Sequence, residues 1–391
     1  MTTPKTSPCF AVPAVLNPEK LAFEQERLDV NRDVPPALES NATENSANTQ
    51  MEYYRQIIDA GLHELFEQRV TVCPMCAESD LVREQTVRDL IQLKPGYFHM
   101  SRCRSCGHIF QNPRLNASGL EFYYRDFYTG AGEETVKRHL ASMTGSYRAR
   151  ARMVKGHSEP RRWLDIGAGY GHFSQTAREL WTKTTFHVLD VSASIKHAED
   201  YGWADRAYVG RLLDLAPQLE ETYDVVSMFH YLEHTPDPLA ELRAAAALIE
   251  PEGFLMIEVP DPDSMGRRLM GRYWPSWLAP QHLHFFAARN METYLREAGF
   301  EPILWHHAKA HQATDASFAM ENYLQQWSRV HGLPWNVYGI GSSKKGYLIM
   351  SVLQAPIRLT MRILDKLLSP FRYLPRWPNT YRVLARKRDT P

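Results

Sequence analysis

The chain has no long apolar run. None of its 391 residues belongs to a stretch of the ~18 apolar positions that a spanning helix needs, so no such helix is expected. It has no net charge either, with 45 Lys and Arg against 45 Asp and Glu. That balance argues against a protein that binds nucleic acid with its whole surface. The first residues lack the basic-then-apolar order of a secretory signal, and a cytoplasmic location is expected. No internal repeat is visible. Residues 1–50 are poor in aromatics and rich in Pro, Ser, Thr and Asn. Such a composition buries too little apolar surface to offset ordering, so a disordered leader is expected there. Cysteine is scarce, five residues in all, too few to staple a chain long enough for about two domains.

Four of the five cysteines nevertheless form one pattern. Cys73-Pro-Met-Cys76 and Cys103-Arg-Ser-Cys106 are two C-x-x-C knuckles, 26 residues apart. Thiolates so spaced can converge tetrahedrally on one soft ion, and zinc is the expected one, with Cys73, Cys76, Cys103 and Cys106 as ligands. The alternative of two disulfides sits poorly with a chain that has no secretion signal. Cys9 has no partner in sequence and receives no role. The segment between the knuckles is not a basic patch. Five cations from Cys73 to Cys106 face four acids, so 5 − 4 leaves +1.

The most informative stretch is Trp163-Leu-Asp-Ile-Gly-Ala-Gly-Tyr-Gly-His-Phe173. It sets Asp165, Gly167, Ala168, Gly169 and Gly171 at the end of an apolar run and the start of a helical pattern. Glycine, without a Cβ, lets backbone approach a ligand closely and accepts positive φ. A glycine-rich structural turn would show the same residues. A dinucleotide site would show G-x-G-x-x-G, whereas this chain has G-x-G-x-G, a tighter turn that leaves less room for a pyrophosphate. The next apolar run closes on a second acid, Asp190, followed by Val191. An acid at that place can accept two hydrogen bonds from a ribose diol.

This constellation resembles the class I S-adenosylmethionine-dependent methyltransferases. Three later segments extend the resemblance: Tyr223–His234, which reads as a fourth strand running into a loop; Gly253–Pro260, a fifth strand; and Gln281-His-Leu-His-Phe-Phe286 before a helix ending at Gly299. They are similar to the branch that holds ubiquinone-type O-methyltransferases and many methyltransferases of saccharides and natural products. The resemblance covers roughly Gly145 to Lys309. It implies an α/β fold, a Rossmann-like seven-stranded sheet, with Tyr381–Lys387 as the closing strand. Residues 310–376 then become a helical insertion before that strand, since a connection this long must carry structure of its own. The implied layout is a leader (1–50), a zinc ribbon and helical cap (51–130), the cofactor-binding core (131–309), the insertion (310–376) and the closing strand (377–391). Asn112-Pro-Arg114 and the tyrosine-rich run Phe122–Tyr128 resemble the ribbon segment of the same branch. Those aromatics read equally as interdomain packing or as substrate contacts.

The resemblance also implies site roles. Asp165, Gly167, Ala168, Gly169 and Gly171 would hold the methionine end of S-adenosylmethionine, Asp190 and Val191 its ribose, and Phe229 and His230 would border it. Gly210-Arg211 stands where the family commonly has Gly-Asp at the adenine, and Leu212 or Asp214 are the substitutes at hand. The loop His230-Tyr-Leu-Glu233-His234 departs from the family's E-x-x-E-H by its first residue. It could hold a metal ion or simply fix the loop. His230 and His282 are the candidate bases for removing an acceptor proton, and His284 reads as a core histidine. Tyr273, Trp274 and Trp277 would line or close the acceptor pocket.

The expected reaction is methyl transfer to an oxygen, or a carbon or nitrogen, of a small-molecule, saccharide or lipid-linked acceptor. An RNA methyltransferase docking its substrate through the ribbon, and a binding protein that keeps the fold without the chemistry, are the rivals. The C-terminal stretch Gly341–Pro391 holds eleven Lys and Arg against two Asp, so 11 − 2 gives +9. Arg358, Arg362 and Lys366 recur every four residues, and Ile357, Met361, Leu364, Leu367, Leu368 and Phe371 supply an apolar face. That pattern fits either an interfacial helix on a membrane or an ordinary packing helix with a solvated basic side.

Overall fold

The computed structural model describes residues 49–125, 143–219, 222–311, 314–325, 333–336 and 344–388. The expected leader, but for its last two residues, lies outside them, as do Asp126, Phe127 and Tyr128. The chain divides into two compact units, Met1–Tyr53 and Tyr54–Pro391, and every element described below belongs to the second. Its strands are β1 Leu81–Val87, β2 Phe98–Cys103, β3 Ile109–Gln111, β4 Arg162–Ile166, β5 Thr185–Asp190, β6 Arg206–Val209, β7 Tyr223–Phe229, β8 Ile249–Pro260, β9 His284–Phe285, β10 Phe300–His306 and β11 Thr380–Lys387. The helices that matter to the site are α1 Ala117–Tyr124, α2 Thr144–Ala151, α3 His172–Arg178, α4 Pro238–Leu248, α5 Ala288–Glu297, α6 Asp315–Gln325 and α7 Lys344–Leu368.

Seven strands form one sheet in the order β10-β11-β8-β7-β4-β5-β6. β4, β5, β6, β7 and β8 run parallel, and β11 is antiparallel to both β8 and β10. A parallel sheet covered on both faces needs strands that are apolar on both sides. Trp163, Phe186 and Val225 face one layer with Phe173 of α3. Leu164, Val226 and Leu255 face the other with Leu242 of α4 and Met291 and Leu295 of α5. β4 lies between β5 and β7, so the chain's direction of winding reverses at its carboxyl end. That is where an open α/β sheet forms its binding crevice.

A second sheet, β1-β2-β3-β9, is antiparallel and joins the cysteine segment to the core. Its last strand comes from the core: Ile109 pairs with Phe285 and Phe110 with His284. The insertion between β10 and β11 is helical where it is described, with α6 against α7. Tyr347–Leu353, apolar enough to pass for a strand, lies inside α7. Asp365 of α7 accepts from the backbone N–H groups of Ala316 (2.8 Å) and Ser317 (3.0 Å), capping α6 from across the pair.

One acid stands inside the most apolar strand. Glu258 of β8 is fully buried, and Arg150 of α2, Arg382 of β11 and His230 after β7 converge on it. Arg150 Nη2 donates at 2.5 Å and Arg382 Nε at 2.5 Å. Burial alone would favour the neutral acid, but the two guanidinium groups hold this carboxyl well below the usual range. Removing one side of a buried ion pair costs about 3–5 kcal/mol because the other charge is left stranded. Glu258→Gln should therefore lower the unfolding free energy by about that much in a denaturant titration. A loss under 1 kcal/mol would show that the two arginines are solvated without it.

Candidate functional site

The site grows from the turn after β4. Gly167 and Gly169 adopt φ +71° and +59°, which an L side chain rarely takes. At Gly167 a Cβ would also come within 2.6 Å of the Tyr231 ring, so the loop after β7 closes directly on this turn. At Gly169 a Cβ would meet nothing within 4 Å. The turn is thus packed on one side and open on the other, the shape of a cradle. Gly167 and Ala168 donate their backbone N–H groups to the Leu189 carbonyl, which ties the turn to the end of β5. Gly171 caps α3 in the left-handed region.

Asp190 ends β5 beside this cradle. Its carboxylate accepts from Gly169 N (2.8 Å) and Ser192 N (2.8 Å). One oxygen is engaged by each, and every carboxylate oxygen can accept more than once. Val191 next to it is apolar and 65 % exposed, unusual for the edge of a core. Asp165 is buried beneath the turn. Ser227 of β7 donates its hydroxyl to Asp165 Oδ1 (2.5 Å), and Trp163 Nε1 donates to that same Ser227 oxygen (2.9 Å). Burial raises the Asp165 carboxyl to about 7 despite this bond and the nearby Arg150 charge.

Phe229 and His230 form the facing wall. Phe229 packs edge-on against Phe173 and under the Arg150 guanidinium. His230 holds a left-handed backbone, φ +53°, rare for a residue with a side chain and a mark of local strain. Its Nδ1 lies 3.2 Å from Glu233 Oε1 and its Nε2 3.2 Å from Glu258 Oε1. Burial disfavours the charged ring, but bonds and charges from both glutamates outweigh it and lift the ring to about 9. His230 therefore holds its proton at neutral pH and acts as a donor.

The other candidate base has the opposite problem. His282 is buried, and its Nδ1 donates to the Ser276 carbonyl (2.8 Å). Burial and the neighbouring His234 lower the ring to about 3, leaving it neutral with Nε2 toward Glu233 Oε1 at 4.0 Å. His234 Nδ1 reaches the Gln281 carbonyl (3.1 Å) and the Tyr124 hydroxyl (3.0 Å). Glu233 Oε2 is buried without a partner. Glu233, His234 and His282 thus present one donor atom each, all within 4.8 Å, with two neutral rings and an ionised carboxylate. This trio could hold a divalent ion. It differs from the one suggested by loop spacing, because His282 stands where His230 was expected.

The remaining candidates divide. His284 is a core residue, stacked on His108 with Nδ1 3.2 Å from its Nε2. Trp274 and Trp277 are buried against Phe285, while Tyr273 packs on Tyr323 of the insertion. Leu212 is sealed in the core, and Asp214 is exposed and paired with Arg211. Of the tyrosine-rich run, Phe122 and Tyr123 pack internally, while Tyr124 reaches the His234 loop. Sequence reasoning missed Glu258, Arg150 and Arg382. The signal for Glu258 was present: a lone acid in Phe254-Leu-Met-Ile-Glu-Val259 must find a buried cation.

The four knuckle cysteines gather as well. Cys73 and Cys106 sulfurs lie 3.7 Å apart and Cys76 and Cys103 3.6 Å, too far for S–S bonds and right for sharing one ion. Both knuckles fold alike: Ala77 and Gly107 take φ +60° and +79° and donate to the Cys73 and Cys103 carbonyls. Burial pushes the Cys73 thiol up, while backbone and side-chain hydrogen bonds outweigh burial and pull the Cys103 thiol down.

The methyltransferase domain family matches residues 136–304. The ubiquinone biosynthesis O-methyltransferase of Xanthomonas axonopodis pv. citri (strain 306) is 28 % identical over 165 residues, 39 % of this chain and 68 % of that protein. Its counterpart in Bordetella avium (strain 197N) is 29 % identical over 159 residues, 38 % of this chain and 66 % of that protein. The shared stretch thus spans only about two thirds of these relatives. A solved SAM-dependent methyltransferase from Archaeoglobus fulgidus is similar at 18 % identity and a TM-score of 0.38, over 68 % of this chain and 99 % of that one; this likeness is too distant to argue from. The family match covers the glycine turn, Asp190 and the loop after β7, where the geometry above builds a cradle. Over residues 136–304 the chain therefore carries a methyltransferase domain, similar to that of the S-adenosylmethionine-dependent O-methyltransferases.

Proposed function

We propose that this protein transfers the methyl group of S-adenosylmethionine to an oxygen of a small-molecule, saccharide or lipid-linked acceptor. The observation that carries the reading is the open glycine cradle flanked by two acids, Asp165 beneath it and Asp190 beside it. The named activity of the relatives, O-methylation in ubiquinone biosynthesis, supports oxygen as the acceptor atom. When bound, S-adenosylmethionine supplies an electrophilic methyl on a positive sulfur. The residues present fit it. Asp190 has acceptor capacity left for a ribose diol, Val191 offers an exposed apolar surface beside it, and Asp165 sits where a cationic amino group would find a buried acid.

The chain's own part is to position, exclude water and handle one proton. His230, held charged, donates to Glu233 and Glu258 and keeps the loop against the turn. Glu233, with Oε2 unpartnered, stays ionised beside His230 and offers a hydrogen-bond acceptor at this edge. Supplied with methyl-labelled S-adenosylmethionine and a cell extract, the wild type should label a small-molecule or lipid fraction. Asp190→Ala should bind the cofactor about tenfold or more weakly by calorimetry, as expected for losing charged contacts of about 1.5–3 kcal/mol. Equal affinity in that variant would remove the reading.

Asp165 gives binding a pH dependence of definite sign. Its carboxyl, raised to about 7 by burial, is largely protonated at pH 6 and ionised above 7. Only the ionised form attracts an ammonium group. Affinity for S-adenosylmethionine should therefore rise as pH increases from 6 to 7.5, and Asp165→Asn should flatten that rise. A slope that survives in Asp165→Asn would assign it to another group.

We also propose that the cysteine cluster holds one structural zinc ion, which would cross-link the two knuckles. Elemental analysis of purified protein should give a zinc ratio near one. Cys103→Ser should lose the ion and melt at a lower temperature. Two disulfides found by mass spectrometry without reductant would contradict this.

A further inference from the structure

Among the described residues, the outer face of α7 is apolar and exposed. Its inner face is held to α6 by Asp365, which caps that helix, and by Arg358, which binds Glu321 (2.7 Å) and also Gln354 one turn back on α7 (2.9 Å). Arg358 is thereby turned inward, out of the basic stripe that its four-residue spacing suggested. Met361, Leu364 and Leu368, expected on the free apolar side, are half-buried on this same inner face. At 100° per residue the opposite side presents Ile349, Val352, Leu353, Leu359, Ile363 and Leu367, each 51–66 % exposed. The stripe follows most of a helix about 37 Å long at ~1.5 Å per residue. It continues past the helix in Tyr373 and Leu374, both exposed, with the Arg372 guanidinium over the Tyr373 ring.

Charge says what this face suits. Arg362 and Lys366 are exposed and lie along one edge of the stripe, and Arg372 and Arg376 follow it. Between residues 344 and 388 the sequence has a single acid, Asp365, and that one is buried and engaged. The face therefore offers apolar area and cations with no anion. A second copy laid against it would bring cations to cations with no acid to pair them. A nucleic acid would leave the apolar side chains unmatched. An anionic lipid surface matches both features, because acyl chains take the apolar stripe and headgroups take the flanking cations. Tyrosine and arginine at the end of the stripe are residue types that settle at headgroup level. Among the described residues no helix is long and apolar enough to cross a membrane, so α7 would lie along the surface.

We propose that the outer face of α7 seats this protein on an anionic lipid surface. The proposal is independent of the methyl-transfer reading, since it uses no residue of the cofactor site. The test is co-sedimentation of the full chain with phosphatidylcholine vesicles, with and without added phosphatidylglycerol. The wild type should sediment only with the anionic vesicles, and less so as salt rises. Each cation near the surface is worth about 1 kcal/mol, roughly fivefold, so Arg362→Ala with Lys366→Ala should weaken binding about 30-fold. Leu359→Glu with Ile363→Glu should abolish it, and both changes lie on an exposed face, so the melting temperature and S-adenosylmethionine binding should stay as in the wild type. Wild type left in the supernatant under both conditions would overturn the proposal. So would equal binding to both vesicle types. So would a dimer by light scattering that the two glutamates dissociate, which would show that a second copy covers the face.

Discussion

An ionised carboxylate without water is tolerable only if cations surround it, and Glu258 imposes that condition on everything near it. Stripping such a group of solvent costs several kcal/mol even after relaxation. Three side chains from three separate parts of the chain answer it: Arg150 from α2, Arg382 from β11 and His230 from the loop after β7. Their convergence fixes the helix before the glycine turn, the last strand and the strained loop relative to one another. His230 is charged because Glu233 and Glu258 both face its ring, and its charge in turn steadies Glu233. The charge on the histidine at the sheet's edge is thus tied to a structural carboxylate beneath it.

The cysteine segment is built into the same body. It shares a sheet with the core through β3 and β9. Asn290 of α5 donates to the Cys106 carbonyl (2.9 Å), and His108, directly after the second knuckle, stacks on His284. Tyr124 of α1 meets His234 beside the candidate metal trio. A disturbance at the knuckles therefore reaches the loop after β7 through only a few contacts. This argues that the cysteine segment orders the loop after β7, beyond decorating the surface.

Much of this was legible in the sequence because local chemistry announced it. The apolar runs ending in Asp165 and Asp190 gave β4 and β5, and the glycine spacing gave the turn between β4 and α3, while β11 was implied by the resemblance of Tyr381–Lys387 to the family's closing strand. What escaped reading has a common physical cause. His230 and His282 looked alike as free imidazoles, and only their burial and partners drive one ring up and the other down. The metal-capable trio needs His282, nearly fifty residues beyond Glu233, brought in by the Leu283 N–H bond to the Glu233 carbonyl (2.7 Å). Arg358 carried a misleading periodicity: its spacing with Arg362 and Lys366 is real, but Glu321 on a separate helix recruits it inward. Spacing along one helix cannot report what a neighbouring helix will claim.

The position of β11 has a consequence for how the molecule comes into being. It follows every other described strand in sequence but sits between β8 and β10 in space, antiparallel to both. During synthesis β8 and β10 exist long before the strand that joins them, separated from it by the whole α6–α7 excursion. For that interval each has an open edge, and Glu258 lacks Arg382. Open strand edges invite pairing with the wrong chain, and long-range closure is slow. The sheet is finished only when Tyr381 to Lys387 slide into the gap, so the nascent protein is most vulnerable to aggregation just before that strand is in place.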